Sequence, residues 1–398
     1  MTTESPELKS LLASLMHPGL KAIDLSLGRT ERHLAAIGNP EAQLPPMIHV
    51  AGTNGKGSTI AFLRAMLQAA GKRCHVFTSP HLVHFKERFV VAGAELSEPE
   101  IMEALEQIKA RSDAYPLTFF EANAVAAFEL FARAEADYTL LEVGMGGRFD
   151  ATNVVTPKLC IITPVSMDHE QYLGDTLAKI AYEKAGIIKQ GVPVIVAPQA
   201  PEAMEVIAQV AAQKKAPLMQ VNVMHWESLS LQGEHQHINA SVAAKAAQHL
   251  KIDHTSIQTG LQTAHWRGRL QKLTHGPLIE ATRAVLWLDG GHNEAAAQML
   301  STWVLAQAKP VYLICAMSDQ KDPKAFINTI APTVASVSLI EIPDEPLSFK
   351  AETLAQFAPK NSRICANIEQ AVAALPADSI GLIAGSLYLA GSVLEKNG

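Results

Sequence analysis

A two-lobed α/β fold is predicted. An N-terminal domain with a mostly parallel sheet and a P-loop should precede a smaller Rossmann-like C-terminal α/β domain. Three observations predict it. Short apolar runs alternate with helical patterns along most of the chain. A glycine-rich turn joins one such run to a helical pattern just after residue 51. The 398-residue chain is long for one domain, and the alternation resumes after a break near residue 270.

Taken in order, Met47–Ala51 (MIHVA) reads as a buried strand. After the turn, Ile60, Leu63, Met66, Leu67 and Ala70 recur at helical spacing over Ser58–Ala70, and Gly71 can cap that helix. Cys74–Thr78 is the next strand. Others are expected at Tyr138–Val143, Leu159–Val165, Pro193–Ala197, Val285–Leu288, Val311–Cys315, Val337–Ile342 and Ile380–Ala384. Leu177–Lys184 and the alanine-rich Asn239–Leu250 read as helices. Arg267–Arg283, with Gly268 and His275-Gly276-Pro277, carries few helix signals and reads as a linker or a first edge. Domains are therefore expected at 1–268 and 269–398.

Hydrophobic residues make up 48% and charged residues 18%, which supplies large cores and excludes disorder or a low-complexity scaffold. A net charge of -6 gives no global reason to bind nucleic acid. Cys74, Cys160, Cys315 and Cys365 form no CxxC pair. That argues against a disulfide scaffold or zinc ribbon and suits a reducing, cytoplasmic setting. No apolar run reaches the length of a membrane span, and the opening MTTESPELKS lacks a secretory pattern.

The sharpest motif is Gly52-Thr53-Asn54-Gly55-Lys56-Gly57-Ser58. Between a strand and a helix, such glycines let backbone N–H groups turn toward an anion at the positive helix end. Lys56 can reach the β- and γ-phosphates, and Ser58 or Thr59 can offer a hydroxyl to Mg²⁺. The match to a Walker A loop is imperfect: Val50 stands at the first glycine, and Gly57 follows the lysine. A glycine-rich turn with an exposed lysine is the competing reading.

Glu142 lies at the carboxyl end of one strand and His169 follows another, at the edge where ligands of doubly wound sheets bind. Read alone, Glu142 is equally a solvated strand-end glutamate, and His169 is more readily structural than a ligand. Ser79 reads as a turn hydroxyl before Pro80, Lys184 as a helix-end charge, and Phe120 as core packing. His235 and His237 flank Gln236, but no third ligand is evident nearby and zinc is not expected. No GxSxG elbow or cysteine nucleophile motif is present.

Together the motifs resemble the ATP-dependent folylpolyglutamate synthase and dihydrofolate synthase family, relatives of the bacterial cell-wall Mur ligases. The resemblance is carried by AGTNGKGS, Thr78-Ser79-Pro80-His81-Leu82, Phe85-Lys86-Glu87-Arg88, Thr118-Phe119-Phe120-Glu121, Leu141–Asn153, Met167-Asp168-His169, Glu183–Ile187, His235-Gln236 with Asn239, Gly268-Arg269-Leu270, Leu288–Asn293 and Gly385–Tyr388. These follow the family's order over nearly the whole chain. One departure is Gly-His-Asn-Glu at 291–294, where the family usually shows Ala-His-Asn-Pro.

The resemblance implies a Mur-ligase-like fold and ligation of L-glutamate to dihydropteroate and reduced folates through an acyl phosphate. It implies ATP and two Mg²⁺ ions, with Ser79, Glu142 and His169 on metal. Lys56, Lys184 and His169 would be catalytic, and Lys184 carbamylated. Thr53, Asn54, Gly55, Lys56, Gly57, Ser58, Thr59, Asn239, Arg269, Asp289 and His292 would hold the nucleotide, with Arg267 a competitor of Arg269. Ile23, Leu27, Phe120, Asp150 and Ala151 would face the pterin. The partners are small molecules, with no nucleic acid and no membrane, and a monomer is expected. A monofunctional folylpolyglutamate synthase, another Mur-type ligase and a P-loop regulatory ATPase are the alternatives.

Overall fold

The computed structural model describes residues 4–15, 20 and 26–397. Two sheets organise it. The first contains β1 (Met47–Ala51), β2 (Cys74–Phe77), β3 (Phe89–Val91), β4 (Ala94–Glu95), β5 (Tyr138–Glu142), β6 (Leu159–Ile162), β7 (Val194–Val196) and β8 (Leu218–Gln220). Its order is β4-β3-β2-β5-β1-β6-β7-β8. All pairs are parallel except β2 with β3 and β3 with β4. The second contains β9 (Gln271–Lys272), β10 (Val285–Leu288), β11 (Val311–Cys315), β12 (Ser336–Leu339), β13 (Arg363–Ile364) and β14 (Ile380–Ala384). Its order is β13-β12-β11-β14-β10-β9, parallel except for β9 against β10.

The central strand β1 is buried throughout, so its run MIHVA need not alternate. The helix Lys56–Ala69 returns over one face and packs against the helices His235–His249 and His254–Thr263. On the other face, Phe119–Ala132 is apolar nearly all round and buried accordingly. Its start is fixed by a capping box, with the Glu121 N–H donating to Thr118 Oγ1 and the Thr118 N–H to Glu121 Oε2 (3.3 and 2.7 Å).

Several boundaries differ from expectation for identifiable reasons. The helix after the glycine turn begins at Lys56 rather than Ser58, because Gly55 adopts φ +87° and lets the chain enter the helix at once. The ladder of β6 ends at Ile162, short of Val165; Pro164 has no N–H to continue it. The short strands β3, β4, β8, β9 and β13 leave no period to read. β9 lies within the expected linker, which also contains a helix at Pro277–Glu280. Ile23 lies outside the described residues.

Candidate active site between the lobes

The glycine turn leaves the carboxyl end of β1 and wraps a cavity of about 180 Å³. Gly52 has φ +148°, and a Cβ there would fall 1.8 Å from Thr163 Oγ1. At Gly55 a Cβ would lie 2.2 Å from Asn239 Oδ1. Both positions exclude side chains, which brings bare backbone to the helix N-terminus. The Thr53 N–H donates to Pro164 O at 2.9 Å, and Thr53 Oγ1 both donates to Ser166 O and accepts from Ser166 N, each at 3.0 Å. Lys56 Nζ curls back to Gly52 O and Thr53 O (3.2 and 3.4 Å).

Ser58 lines this cavity, whereas Thr59 does not: its buried hydroxyl has no hydrogen-bond partner among the described residues. Glu142, at the end of β5, is 5% exposed and accepts from Ser79 N at 3.1 Å. Burial raises its pKa, against the pull of Lys56, the Ser79 N–H and Arg269. His169, beyond β6, has φ +54° and is pushed down to about 4 by burial, so its imidazole is neutral near pH 7. Lys184 is not a solvated helix-end charge. It is 4% exposed, donates to Gly52 O at 3.0 Å, and is lowered to about 7 by burial and then by Lys56.

From the far wall come Asn239, Arg269, Asp289 and His292. Asp289 accepts from Leu270 N and Gly291 N (2.8 and 2.7 Å), and burial raises its pKa. His292 is pushed down to about 4 by burial and then by Lys321, and its Nδ1 pairs with Gly290 O at 2.8 Å. Of the two candidate arginines, Arg269 lines the cavity; Arg267 lies elsewhere, 3.9 Å from Glu87 Oε1.

A second cavity of about 370 Å³ adjoins the first, and Ser79, His169 and His292 line both. Its other walls are Phe119, Phe120, Phe149 and Ala151 from one lobe and Gln320, Lys321 and Ser386 to Tyr388 from the other. Phe120 packs so closely on Gly144 that a Cβ there would sit 2.3 Å from its Cζ. Asp150 lines the cavity, but its oxygens already accept from Met145 N, Thr152 N and Thr152 Oγ1 (2.9, 3.0 and 2.5 Å). Leu27 lines neither cavity; it precedes the helix Gly28–Ala36, whose Arg29 pairs with Glu121 at 2.8 Å.

Sequence reasoning missed the contacts between the lobes. Lys321 Nζ lies 2.7 Å from Asp168 Oδ1 and 3.3 Å from His169 Nε2. Burial alone would raise the Asp168 carboxyl, but His169, Lys321 and His292 together hold it below the usual range. Asn293, which caps the helix Glu294–Leu305, exchanges amide hydrogen bonds with Asn54 (3.2 and 3.4 Å). No spacing rule links these positions. No third ligand is expected to join His235 and His237, and the two do not act together: only His237 belongs to a surface group. His225 and Glu234 converge on His237 at the surface, His225 Nδ1 lying 3.9 Å from Glu234 Oε2. His237 Nδ1, however, is occupied by the Trp226 N–H at 3.1 Å, and the group lines neither cavity.

Comparison with known proteins decides the family. The model of the Mur ligase middle domain matches residues 50–247, and that of the dihydrofolate synthetase C-terminal domain matches 271–396. A Bacillus subtilis dihydrofolate synthase/folylpolyglutamate synthase is 37% identical, over 72% of this chain and 74% of the relative. The chain belongs to the dihydrofolate synthase/folylpolyglutamate synthase family. Its two-sheet architecture is that of solved family members. Escherichia coli FolC in complex with DHPP and ADP superposes with a TM-score of 0.87, at 30% identity, covering 99% of this chain and 98% of that one. The Yersinia pestis bifunctional enzyme complexed with AMPPNP and Mn ion gives 0.86, at 30% identity, with 99% and 98% covered.

Proposed function

We infer that this chain uses ATP to ligate L-glutamate to dihydropteroate and to reduced folates. The observation that carries this is the junction of the two cavities. A backbone-lined phosphate loop opens, across Ser79, His169 and His292, onto an aromatic-lined chamber of about 370 Å³, suited to a flat heterocycle. Family membership and the nucleotide complexes of its relatives support the same reading.

A carboxylate does not condense with an amine at neutral pH, because its oxygen is a poor leaving group. Here the acceptor's carboxylate oxygen attacks the γ-phosphorus while the bond to the β-phosphate oxygen breaks and ADP leaves. Lys56 and the helix N-terminus spread the developing charge. The free amine of glutamate then attacks the acyl carbon, and phosphate departs as the amide forms. Contacts between the lobes through Lys321 and Asn293 support a chamber that excludes water from the acyl phosphate.

Glu142, Ser79 and neutral His169 are suited to hold divalent metal: a buried carboxylate with no ion-pair partner among the described residues, a hydroxyl and an uncharged imidazole. When bound, Mg²⁺ supplies charge neutralisation on the phosphates. Asn239, Arg269, Asp289 and His292 face ATP, and Phe120 and Ala151 face the pterin, with Asp150 bracing their loop. Lys184, half neutral near pH 7, suits reaction of its amine with CO₂ to a carbamate. On that reading ¹³C-labelled bicarbonate gives a carbamate resonance that grows from pH 6 to pH 8 and is missing in Lys184→Ala. An equal resonance in the variant removes the assignment.

One chain lines both cavities, which supports a monomeric working unit. Among the described residues no helix is long and apolar enough to cross a membrane, and the four cysteines are free and buried, which supports a cytoplasmic setting. The deciding assay measures ADP release with dihydropteroate or tetrahydrofolate, each with and without L-glutamate. Release requiring both acceptor and glutamate is expected, and ¹⁸O from the acceptor carboxylate should appear in phosphate. Hydrolysis indifferent to both would instead indicate a regulatory ATPase; activity with tetrahydrofolate alone would indicate the monofunctional enzyme.

A further inference from the structure

Arg88 ends the 3-10 turn Phe85–Arg88 just before β3. It stands in the wall shared by the 370 Å³ aromatic chamber and a neighbouring interlobe cavity of about 570 Å³. The residue is 7% exposed. Its guanidinium lies over the rings of Phe85 and Phe119, 5.6 and 5.9 Å from their centroids, and its Nε donates to His81 Nδ1 at 2.9 Å. His81 is no counter-charge: burial, then Arg88 itself, pushes it down to about 3, and it is neutral.

Glu142 and Glu87 pull on Arg88 through space, but among the described residues neither carboxylate is hydrogen-bonded or ion-paired to it. Glu87 accepts from the backbone N–H groups of Leu82, Val83 and His84 (2.8, 3.1 and 2.9 Å). Glu142 accepts from Ser79. Among the described residues the two terminal nitrogens of Arg88 have no hydrogen-bond or ion-pair partner. A buried cation without an anion is costly to the folded state. Its planar pair of donors, flanked by two rings, matches a carboxylate in two-pronged geometry.

We propose that Arg88 binds a non-reacting carboxylate of an amino-acid substrate at the junction of the aromatic chamber and the neighbouring cavity. The proposal rests on the ligase reading above and adds to it the residue that distinguishes an amino acid from a simple amine. Two substrates carry such a group: the incoming glutamate, and an acceptor already bearing a glutamate. Dihydropteroate carries only the carboxylate that reacts, so it separates the two sources.

The test compares wild type with Arg88→Gln and Arg88→Lys in steady-state kinetics. KM is measured for L-glutamate with dihydropteroate as acceptor, for tetrahydrofolate monoglutamate, for dihydropteroate and for ATP. Losing a charged two-pronged contact should raise one of the first two KM values about tenfold to hundredfold in Arg88→Gln, with partial recovery in Arg88→Lys. The dihydropteroate and ATP values should stay within twofold. A rise for glutamate identifies the incoming amino acid; a rise for tetrahydrofolate alone identifies the acceptor's own glutamate. Unchanged KM values, or an equal rise for all four substrates, overturns the proposal. Should Arg88→Gln fail to fold, the lysine variant decides by the same ratios. A wild-type enzyme that joins glutamate to neither acceptor removes the ligase reading itself, and this assignment with it.

Discussion

The phosphate-loop cavity and the aromatic chamber share Ser79, His169 and His292 but are assembled differently. The first is walled along one side by consecutive residues, Gly52 to Ser58, whose positions follow from one strand, one turn and one helix. The second draws on Arg88, Phe119 to Glu121, Gly144, Met145 and Phe149 to Ala151 and, from the other lobe, Ser318, Gln320, Lys321 and Gly385 to Tyr388. That one wall of the first is therefore specified locally, by backbone freedom at two glycines, while Arg269, Asp289 and His292 close the cavity from the other lobe. The second exists only where two sheets meet, and its chemistry depends on how they are held together.

The largest effect that would break this contrast is at Lys56. Lys56→Ala should lower kcat about a thousandfold, with an unchanged thermal midpoint. Near-normal turnover would show that the loop's lysine is not used. Gly52→Ala comes next. With φ +148° and Thr163 Oγ1 1.8 Å from the new Cβ, it should cost at least about 2 kcal/mol in urea denaturation, and activity should fall as well. A stable, active variant would mean the turn is not locally determined.

The chamber should respond differently. Phe120→Ala should raise KM for dihydropteroate about tenfold and leave KM for ATP alone. A change confined to ATP would misplace the heterocycle. The smallest effect is at the contact joining the regions. Asn293→Asp keeps the cap on Ala296 N but sets a carboxylate beside Asp168 and removes the amide donated to Asn54. It should lower kcat about fivefold without loss of stability, because about 1 kcal/mol of hydrogen bonding is at stake. In a double-mutant cycle with Asn54→Ala the two losses should not add. Simple additivity would leave the lobes uncoupled at this contact.

Legibility in the sequence followed the same division. The β/α alternation, the glycine loop and the strand-end positions of Glu142 and His169 could be read because each lies within one contiguous segment. Side-chain direction was harder. Thr59 adjoins Ser58 but does not line the cavity, Arg267 is two residues from Arg269 but meets Glu87, and Leu27 stops short of the chamber. Lys184 reads as a helix-end charge in isolation, yet folding buries its amine against Gly52 O.

The sequence by itself determined the two α/β lobes and the anion-binding turn, because hydrophobic period and glycine backbone freedom act over a few neighbouring residues. Only tertiary structure decided which polar groups are neutral, which are paired and which are left without an anion. Asp168 meets Lys321 from 153 positions away, and Arg88 lies against two aromatic rings with no carboxylate paired to it among the described residues. Such outcomes depend on desolvation and on charges brought together from different lobes.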